Sequence, residues 1–314
     1  MRLFLLTILL LAKFVLLPGP GHAEERLIAV ILAKGAPRYQ FIHEAFMSHL
    51  VDSGGHKVYV QTPNGDVLSL RNSARKAVAI GAELIVTYGA SATRAALAES
   101  FDTPVIYADV YDPMVQGIIP DQYTPGRNAT GIRGDAPIQT LLKNFKTMTG
   151  ASHIVALYQA GDKAGENLVD SLQRIAANKN LQIFMLAKEA SSTAAELLEK
   201  MPDETDGIYC VLSHHLTEDL TPLLDLATKE KIPVVSRIPG LAEQGALMVL
   251  ETDPVEQGEK LAEYVNHLIQ GSPLKELPPE RPRNVSLIVN MKTANTLDIQ
   301  VPFEILSVTS RLIR

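Results

Sequence analysis

Apolar residues follow two patterns along this chain. Short β-branched runs, typical of buried strands, alternate with longer segments in which apolar residues return every three or four positions. The runs form a first series over 27–32, 57–61, 83–88 and 104–109, and a second over 153–158, 181–186, 206–211 and 232–236. Strands at this spacing, with a helix between each pair, are typical of βαβ units and a buried parallel sheet. The repetition predicts an α/β fold with two lobes, each a parallel sheet flanked by helices.

Two segments rich in proline and glycine predict where the chain passes between the lobes. Residues 111–137 hold so many breakers that we expect no buried element there, only the first crossing. A helix capped by Asp253-Pro254 is predicted to run through Ile269, before a second connector over 273–282. A strand at 285–289 and a terminal helix near 302–312 complete the pattern. We therefore expect a multi-segment hinge between a first lobe of 24–132 plus 250–280 and a second of 133–249 plus 281–314.

The amino terminus has the features of a secretory signal. Arg2 precedes an apolar run, and the small residues Gly21 and Ala23 predict cleavage before Glu24. Lys13 interrupts the run, which is also short of the ~20 apolar residues that a permanent span needs. Residues 1–23 are therefore predicted to be a signal peptide, and the mature protein a soluble, periplasmic one.

Composition and motifs exclude several classes of function. The formal net charge of −6 provides no basic surface for nucleic acid. The single cysteine, Cys210, cannot form an intrachain disulfide and is expected to be a small buried residue. The nucleophile-elbow, zinc-protease, phosphate-loop and dinucleotide patterns all fail, so we expect no enzyme activity, no catalytic residue and no cofactor. The adjacent His214 and His215 lack supporting carboxylates, and no metal site is expected.

Candidate ligand contacts lie where predicted strands end, because open parallel sheets bind ligands at their carboxyl edge. In the first lobe, a helix begins around Ala90, Ser91 and Thr93, where free backbone N–H groups suit an anion and Ser91 is available as a cap. Tyr111 and Asp112 follow the next strand and supply a phenol and a carboxylate.

In the second lobe, Ser213 and His214 follow the strand that contains Cys210. Arg237 follows strand 232–236 and is placed to meet an anionic ligand, although a solvated surface position is the favoured interpretation.

Several segments together resemble the substrate-binding proteins of ABC importers that are related to tryptophan and tyrosine binders. The resemblance covers residues 27–314 and is carried by 83–89, 104–113, 128–131, 206–209, 245–247 and 289–294. It implies a type I periplasmic-binding-protein fold, with two Rossmann-like lobes joined by a three-segment hinge. It also implies a monomer that closes on a small-molecule solute and hands it to a membrane permease.

The match is incomplete at the site. Asp112 matches the family's Asp-Pro, whereas Ala90 replaces its usual Thr and Ser213-His214 replaces an Asp-Asn pair. A buried ammonium needs a carboxylate partner, so an amino-acid ligand requires Asp109 or Asp112 in its place. The sequence thus predicts an exported solute-binding protein for an ABC importer, an amino acid being one ligand class. The alternative is a periplasmic sensory module for a membrane kinase or chemoreceptor.

Overall fold

A computed structural model describes most of the chain after the predicted signal peptide, which lies outside the described residues. The described ranges are 26–34, 37–50, 56–114, 116–121, 123–160, 172–176, 180–189, 191–210 and 220–314. None of the helices in these ranges is long and apolar enough to span a lipid bilayer.

The strands form two separate sheets. The first sheet contains β1 (Arg26–Ile31), β2 (His56–Gln61), β3 (Leu84–Tyr88), β4 (Val105–Val110) and β5 (Ala129–Arg133), in the order β2-β1-β3-β4-β5. The second contains β6 (His153–Gln159), β7 (Gln182–Lys188), β8 (Gly207–Cys210), β9 (Val234–Ser236), β10 (Met248–Thr252), β11 (Val285–Asn290) and β12 (Arg311–Ile313). Its order is β12-β11-β10-β9-β8-β6-β7.

Helices cover both sheets. Those that follow β1, β2 and β3 are α1 (Pro37–His49), α2 (Val67–Ala79) and α3 (Gly89–Glu99). The remaining ones are α4 (Ile138–Thr149), α5 (Ala194–Glu199), α6 (Thr221–Lys229), α7 (Pro254–Ile269), α8 (Met291–Thr296) and α9 (Phe303–Val308). Residues 172–176 are helical as well.

Both sheets are buried because their strands are apolar on both faces. In the first sheet, Ile42 and Phe46 of α1 pack with Leu261 of α7 on one face, and α2 and α3 cover the other. All pairs in this sheet are parallel. In the second sheet β11 runs antiparallel to β10, and the remaining pairs are parallel. The prediction of two α/β lobes built on parallel sheets is confirmed, with this one antiparallel junction added. We call the sheets with their helices the first and second lobe.

Two expectations about elements are wrong. The breaker-rich segment contains a fully buried strand, β5, because residues 129–133 pair along β4. The proline and glycine residues belong to the loop before this strand and to the crossing after it. The terminal helix ends at Val308, and Arg311–Ile313 instead pairs with β11. Cys210 is buried, as expected.

The chain passes from one sheet to the other three times. The first passage follows Arg133 at the end of β5, and the second follows Thr252 at the end of β10. The third runs through Glu280, which forms a β-bridge with Ile132. Three adjacent passages place the carboxyl ends of β4, β5 and β10 close together, and the site described next is built around them.

Candidate functional site

The turn between β3 and α3 contains three of the predicted ligand contacts, Ala90, Ser91 and Thr93. Gly89 has a φ of +76°, and a Cβ there would lie 2.1 Å from the Oη atom of Tyr39, so only glycine fits. Thr93 is fully buried, and its hydroxyl donates to the Gly89 carbonyl at 2.8 Å. Thr93 therefore stabilises the turn from inside, and its contact with a ligand stays a prediction.

The first turn of α3 is not capped by the residue that precedes it. Tyr88 occupies the N-cap position and makes no side-chain hydrogen bond to the helix. Ser91, expected as a cap, lies inside the first turn instead. Ala90 is buried and Ser91 is half-buried. The start of α3 thus combines the positive end of a helix dipole with a small, partly accessible surface, which suits a polar or anionic group.

A buried ion pair that sequence reasoning missed lies beside this turn. The Nε atom of Arg38 is 3.1 Å from both carboxylate oxygens of Asp109, and both side chains are at most 9% exposed. Burial is the largest influence and works to lower the pKa of Arg38, but Asp109, Tyr111 and Glu251 together outweigh it and raise the pKa above its ordinary value. The one sequence signal for Arg38 was its position, since a cation in the first turn of a helix opposes the dipole.

The same pair connects the two lobes. Arg38 Nη2 donates to both the carbonyl and the hydroxyl of Thr252 at 2.7 Å, at the end of β10. Gln257 of α7 donates to Asp109 and to the Thr252 hydroxyl at 2.9 Å each, and accepts from the Asp109 N–H at 2.8 Å. The Thr252 hydroxyl also donates to the carbonyl of Gly134, in the first crossing, at 3.1 Å. Two of the three crossings are therefore bonded to one buried charge network.

The backbone around Asp109 is unusual. Asp109 and Asp112 have φ values of +54° and +43°, in the left-handed region that residues with a Cβ rarely adopt. The pairing of β4 with β5 shifts register between Tyr107 and Val110. Gly134 approaches so closely that a Cβ there would lie 2.6 Å from Asp109 Oδ1. Strain of this kind persists only where surrounding contacts hold it, and it is common at ligand sites.

In the second lobe, Arg237 follows β9 and is buried, with 7% of its surface exposed. Its Nε donates to the Tyr209 hydroxyl at 2.9 Å, and its Nη1 donates to the Ala136 carbonyl at 2.8 Å. The favoured interpretation of Arg237 as a solvated surface residue is therefore wrong. The reason is that Tyr209 from the neighbouring strand and the first crossing close around it, which a local pattern does not show.

The predicted contacts Tyr111 and Asp112 lie on the loop after β4, and both are half-buried. The Tyr111 hydroxyl is 3.4 Å from the backbone carbonyl of Arg237, to which it donates. Burial raises the pKa of Tyr111, and the charge of Asp109 adds to the effect, so the phenol stays a neutral donor. Residues from the carboxyl ends of β4 and β9 thus meet between the lobes.

A second ion-pair cluster joins the first and third crossings. Arg133 donates from Nε and Nη2 to the two carboxylate oxygens of Asp135 at 2.9 and 3.0 Å. Arg281 donates to the same carboxylate at 2.6 Å. Asp135 is buried, and its charge is shared by two guanidinium groups.

The predicted contacts Ser213 and His214 lie outside the described residues. Within the parts of the chain that the structure describes, no three His, Cys, Asp or Glu side chains come together as metal ligands would. The arrangement consists of hydrogen-bond donors and buried charges at the edges of two facing sheets. Such an arrangement suits a small polar molecule and is typical of solute-binding proteins with two lobes.

Comparison with known proteins gives the family. The family model described as "ABC transporter substrate binding protein" matches residues 36–313. The chain belongs to this family of ligand carriers, whose members are not enzymes.

Relatives with names and structures agree with this assignment. A tyrosine-binding protein of Clostridioides difficile (strain R20291) is 24% identical over 250 residues, 79% of this chain and 72% of that protein. A domain from Streptococcus pneumonia, solved in complex with L-Trp, superposes with a TM-score of 0.80 at 20% identity, over 92% of this chain and 100% of that one. An open, ligand-free substrate binding protein with adhesive properties from Clostridium difficile gives 0.76 at 20% identity, over 92% and 99%. The fold is that of the type I periplasmic binding proteins.

Proposed function

We propose that this protein captures a small organic solute in the cleft between its lobes and delivers it to the membrane permease of an ABC importer. The observation that carries the proposal is the meeting of Tyr111 from the first lobe with Arg237 from the second, at the carboxyl ends of β4 and β9. A ligand that contacts both strand ends favours the closed arrangement of the lobes by its differential affinity for it.

We assign the ligand contacts as the sequence predicted them. Ala90, Ser91 and Thr93 surround the start of α3, Tyr111 and Asp112 face the hinge, and Ser213 and His214 complete the second lobe. The relatives named above for tyrosine and solved with L-Trp make aromatic amino acids the first class to test.

The network around Asp109 limits how an amino acid is held. Asp109 already accepts hydrogen bonds from Arg38 and Gln257, so its charge is compensated inside the protein. Asp112 lies half-buried on the loop after the same strand, and we assign it as the carboxylate that pairs with a ligand ammonium. Replacing Asp112 by Asn is expected to weaken amino-acid binding about 10- to 100-fold, as the loss of a charge-assisted hydrogen bond does.

The cellular setting is part of the proposal. Cleavage after Ala23 releases a monomeric, periplasmic protein. If this protein delivers solute to an importer, deleting its gene abolishes uptake of the solute that the protein binds in vitro. Unchanged uptake with loss of a transcriptional or chemotactic response to that solute indicates the sensory alternative.

The test is thermal unfolding of residues 24–314, stripped of ligand by refolding, against amino acids, carboxylates, nucleosides and sugars. At 100 times its Kd, a ligand adds about 2.7 kcal/mol, which corresponds to a shift of about 5–10 °C for domains of this size. Asp112→Asn is compared with Asp298→Asn, a substitution at a carboxylate that is 82% exposed. If no solute in the panel shifts the transition, the proposed function is wrong.

A further inference from the structure

The second lobe contains a buried guanidinium group that is not in contact with any carboxylate of the described residues. Arg38 and Arg133 each lie within 3.1 Å of a carboxylate, Asp109 and Asp135 respectively. No carboxylate among the described residues lies within ion-pair distance of Arg237, whose two partners are the neutral Tyr209 hydroxyl and Ala136 carbonyl.

An unpaired buried charge is costly, because the desolvation penalty of a guanidinium amounts to several kcal/mol. The carboxylate that acts most strongly on Arg237 from a distance is Asp135. Asp135 already accepts hydrogen bonds from Arg133 and Arg281, so it is not available as a partner. Burial works to lower the pKa of Arg237, but Tyr209, Asp135 and Tyr111 together raise it above its ordinary value, so the charge is stabilised from a distance while no carboxylate of the described residues contacts it.

The partners of Arg237 also fix its orientation. Tyr209 and Ala136 occupy Nε and Nη1, while Nη2 donates to none of the described residues. A guanidinium held at two of its nitrogens is a planar donor that loses little freedom when it binds an anion. Its position at the end of β9, where the loop after β4 touches its backbone, places it between the lobes.

We propose that Arg237 is a further group of the second lobe that recognises the ligand, and that it does so by binding a carboxylate. This inference rests on the proposed function and narrows it. The ligand is a small organic acid, and a carboxylate is required of it whether or not it also carries an ammonium. Binding then removes the cost of the unpaired charge, so affinity is gained where the lobes meet.

The first experiment separates the carboxylate from the rest of the ligand. Calorimetry with the mature wild-type protein uses L-tyrosine, tyramine, which lacks the carboxylate, and 3-(4-hydroxyphenyl)propionate, which lacks the ammonium. Succinate, inorganic phosphate and D-arabinose extend the series. We expect every compound that binds to carry a carboxylate. If tyramine, phosphate or arabinose binds as tightly as any carboxylate, the inference is overturned and the proposed function stays in place. If none of the six compounds binds, both the inference and the proposed function are contradicted.

The second experiment tests the residue. Arg237→Met is expected to lower the affinity for the carboxylate ligand about 100-fold. Arg237→Lys keeps the charge without the planar fork and is expected to lower it about 10-fold. Arg283→Gln removes one charge from an exposed position in the third crossing and serves as the control, with unchanged affinity.

A purely structural role for Arg237 makes the opposite predictions. If Arg237 only braces Tyr209 and Ala136, Arg237→Met lowers the Tm of the ligand-free protein and leaves the Kd of the correctly folded fraction unchanged. If Arg237 binds the ligand, the Tm of ligand-free Arg237→Met stays the same or rises, because the substitution removes a buried charge that contacts no carboxylate of the described residues. A lowered Tm together with an unchanged Kd in Arg237→Lys overturns the proposal.

Discussion

The Arg38–Asp109 pair provides the sharpest test of how the lobes are held together. We consider Arg38→Met, Asp109→Asn and the double variant. Asparagine suits position 109 because it adopts the left-handed backbone conformation more readily than other residues, and Asp109 has a φ of +54°. The substitution therefore removes the charge without adding backbone strain.

The magnitude follows from burial. The Asp109 side chain is 0% exposed and that of Arg38 is 9% exposed. Removing either partner leaves a buried charge without compensation, which costs about 3–5 kcal/mol. Arg38→Met also loses two hydrogen bonds to Thr252 at 2.7 Å and is expected at the upper end of this range. The double variant buries no charge, so its cost is about 1–3 kcal/mol, from hydrogen bonds alone.

The assay is urea unfolding followed by far-UV circular dichroism, since the chain has no tryptophan to report by fluorescence. The cycle is expected to show a coupling free energy of about 3 kcal/mol or more between the two positions. Lys231→Met removes one side of an ion pair whose partner, Asp298, is 82% exposed, and no measurable change is expected there. Additive effects of the two single variants would refute the account of Arg38 and Asp109 as a mutually compensating pair.

Three further predictions concern single positions. His43 forms a hydrogen bond with the Tyr88 hydroxyl at 2.9 Å, and burial lowers its pKa. As the pH falls through the unfolded-state pKa of 6.5, the unfolded protein binds more protons than the folded protein, so the free energy of unfolding decreases. The free energy of unfolding of His43→Phe should depend less on pH between 7.5 and 5, and equal slopes would contradict this. Gly89→Ala is expected to cost more than about 1 kcal/mol, because the added Cβ clashes with Tyr39 and the backbone is left-handed there. Adding Tyr39→Phe is expected to recover part of this cost, since it removes the hydroxyl oxygen at 2.1 Å and leaves the ring carbon Cζ at 2.9 Å. Cys210 is 1% exposed and should react with a maleimide only in denaturant; rapid labelling of the native protein would disprove its burial.

The fold followed from the sequence because its main signals are local. Apolar runs of four to seven residues and the helix periodicity between them are set by burial on both faces of a sheet. Strand β5 escaped this reasoning because Ala129 and Thr130 are stabilised by pairing with Val105 and Ile106, and neighbouring breakers dominate the local pattern. The strand β12 was missed for the same reason, since its partner β11 lies more than twenty residues earlier.

The site was less predictable because its contacts join distant parts of the chain. Arg38 and Asp109 are 71 residues apart, and Gln257 is 148 residues from Asp109. A strand-end rule locates Tyr111 and Asp112, since it needs only the order of elements. It cannot tell that Asp109 is neutralised, or that Arg237 is enclosed, because both depend on which side chains approach from other crossings.

Of the three buried arginines, Arg38 and Arg133 stabilise the fold, and Arg237 is the one that we propose recognises the ligand. Arg38 and Arg133 are paired with carboxylates and tied to the crossings, so their charges are satisfied whatever the cleft contains. Among the described residues, Arg237 donates hydrogen bonds only to neutral partners, so the free-energy cost of burying its charge depends on what lies between the lobes. Changes at the paired arginines should alter stability equally with every ligand, because those contacts are internal. Changes at Arg237 should alter the choice of ligand, because a carboxylate from outside is the group that its charge still requires.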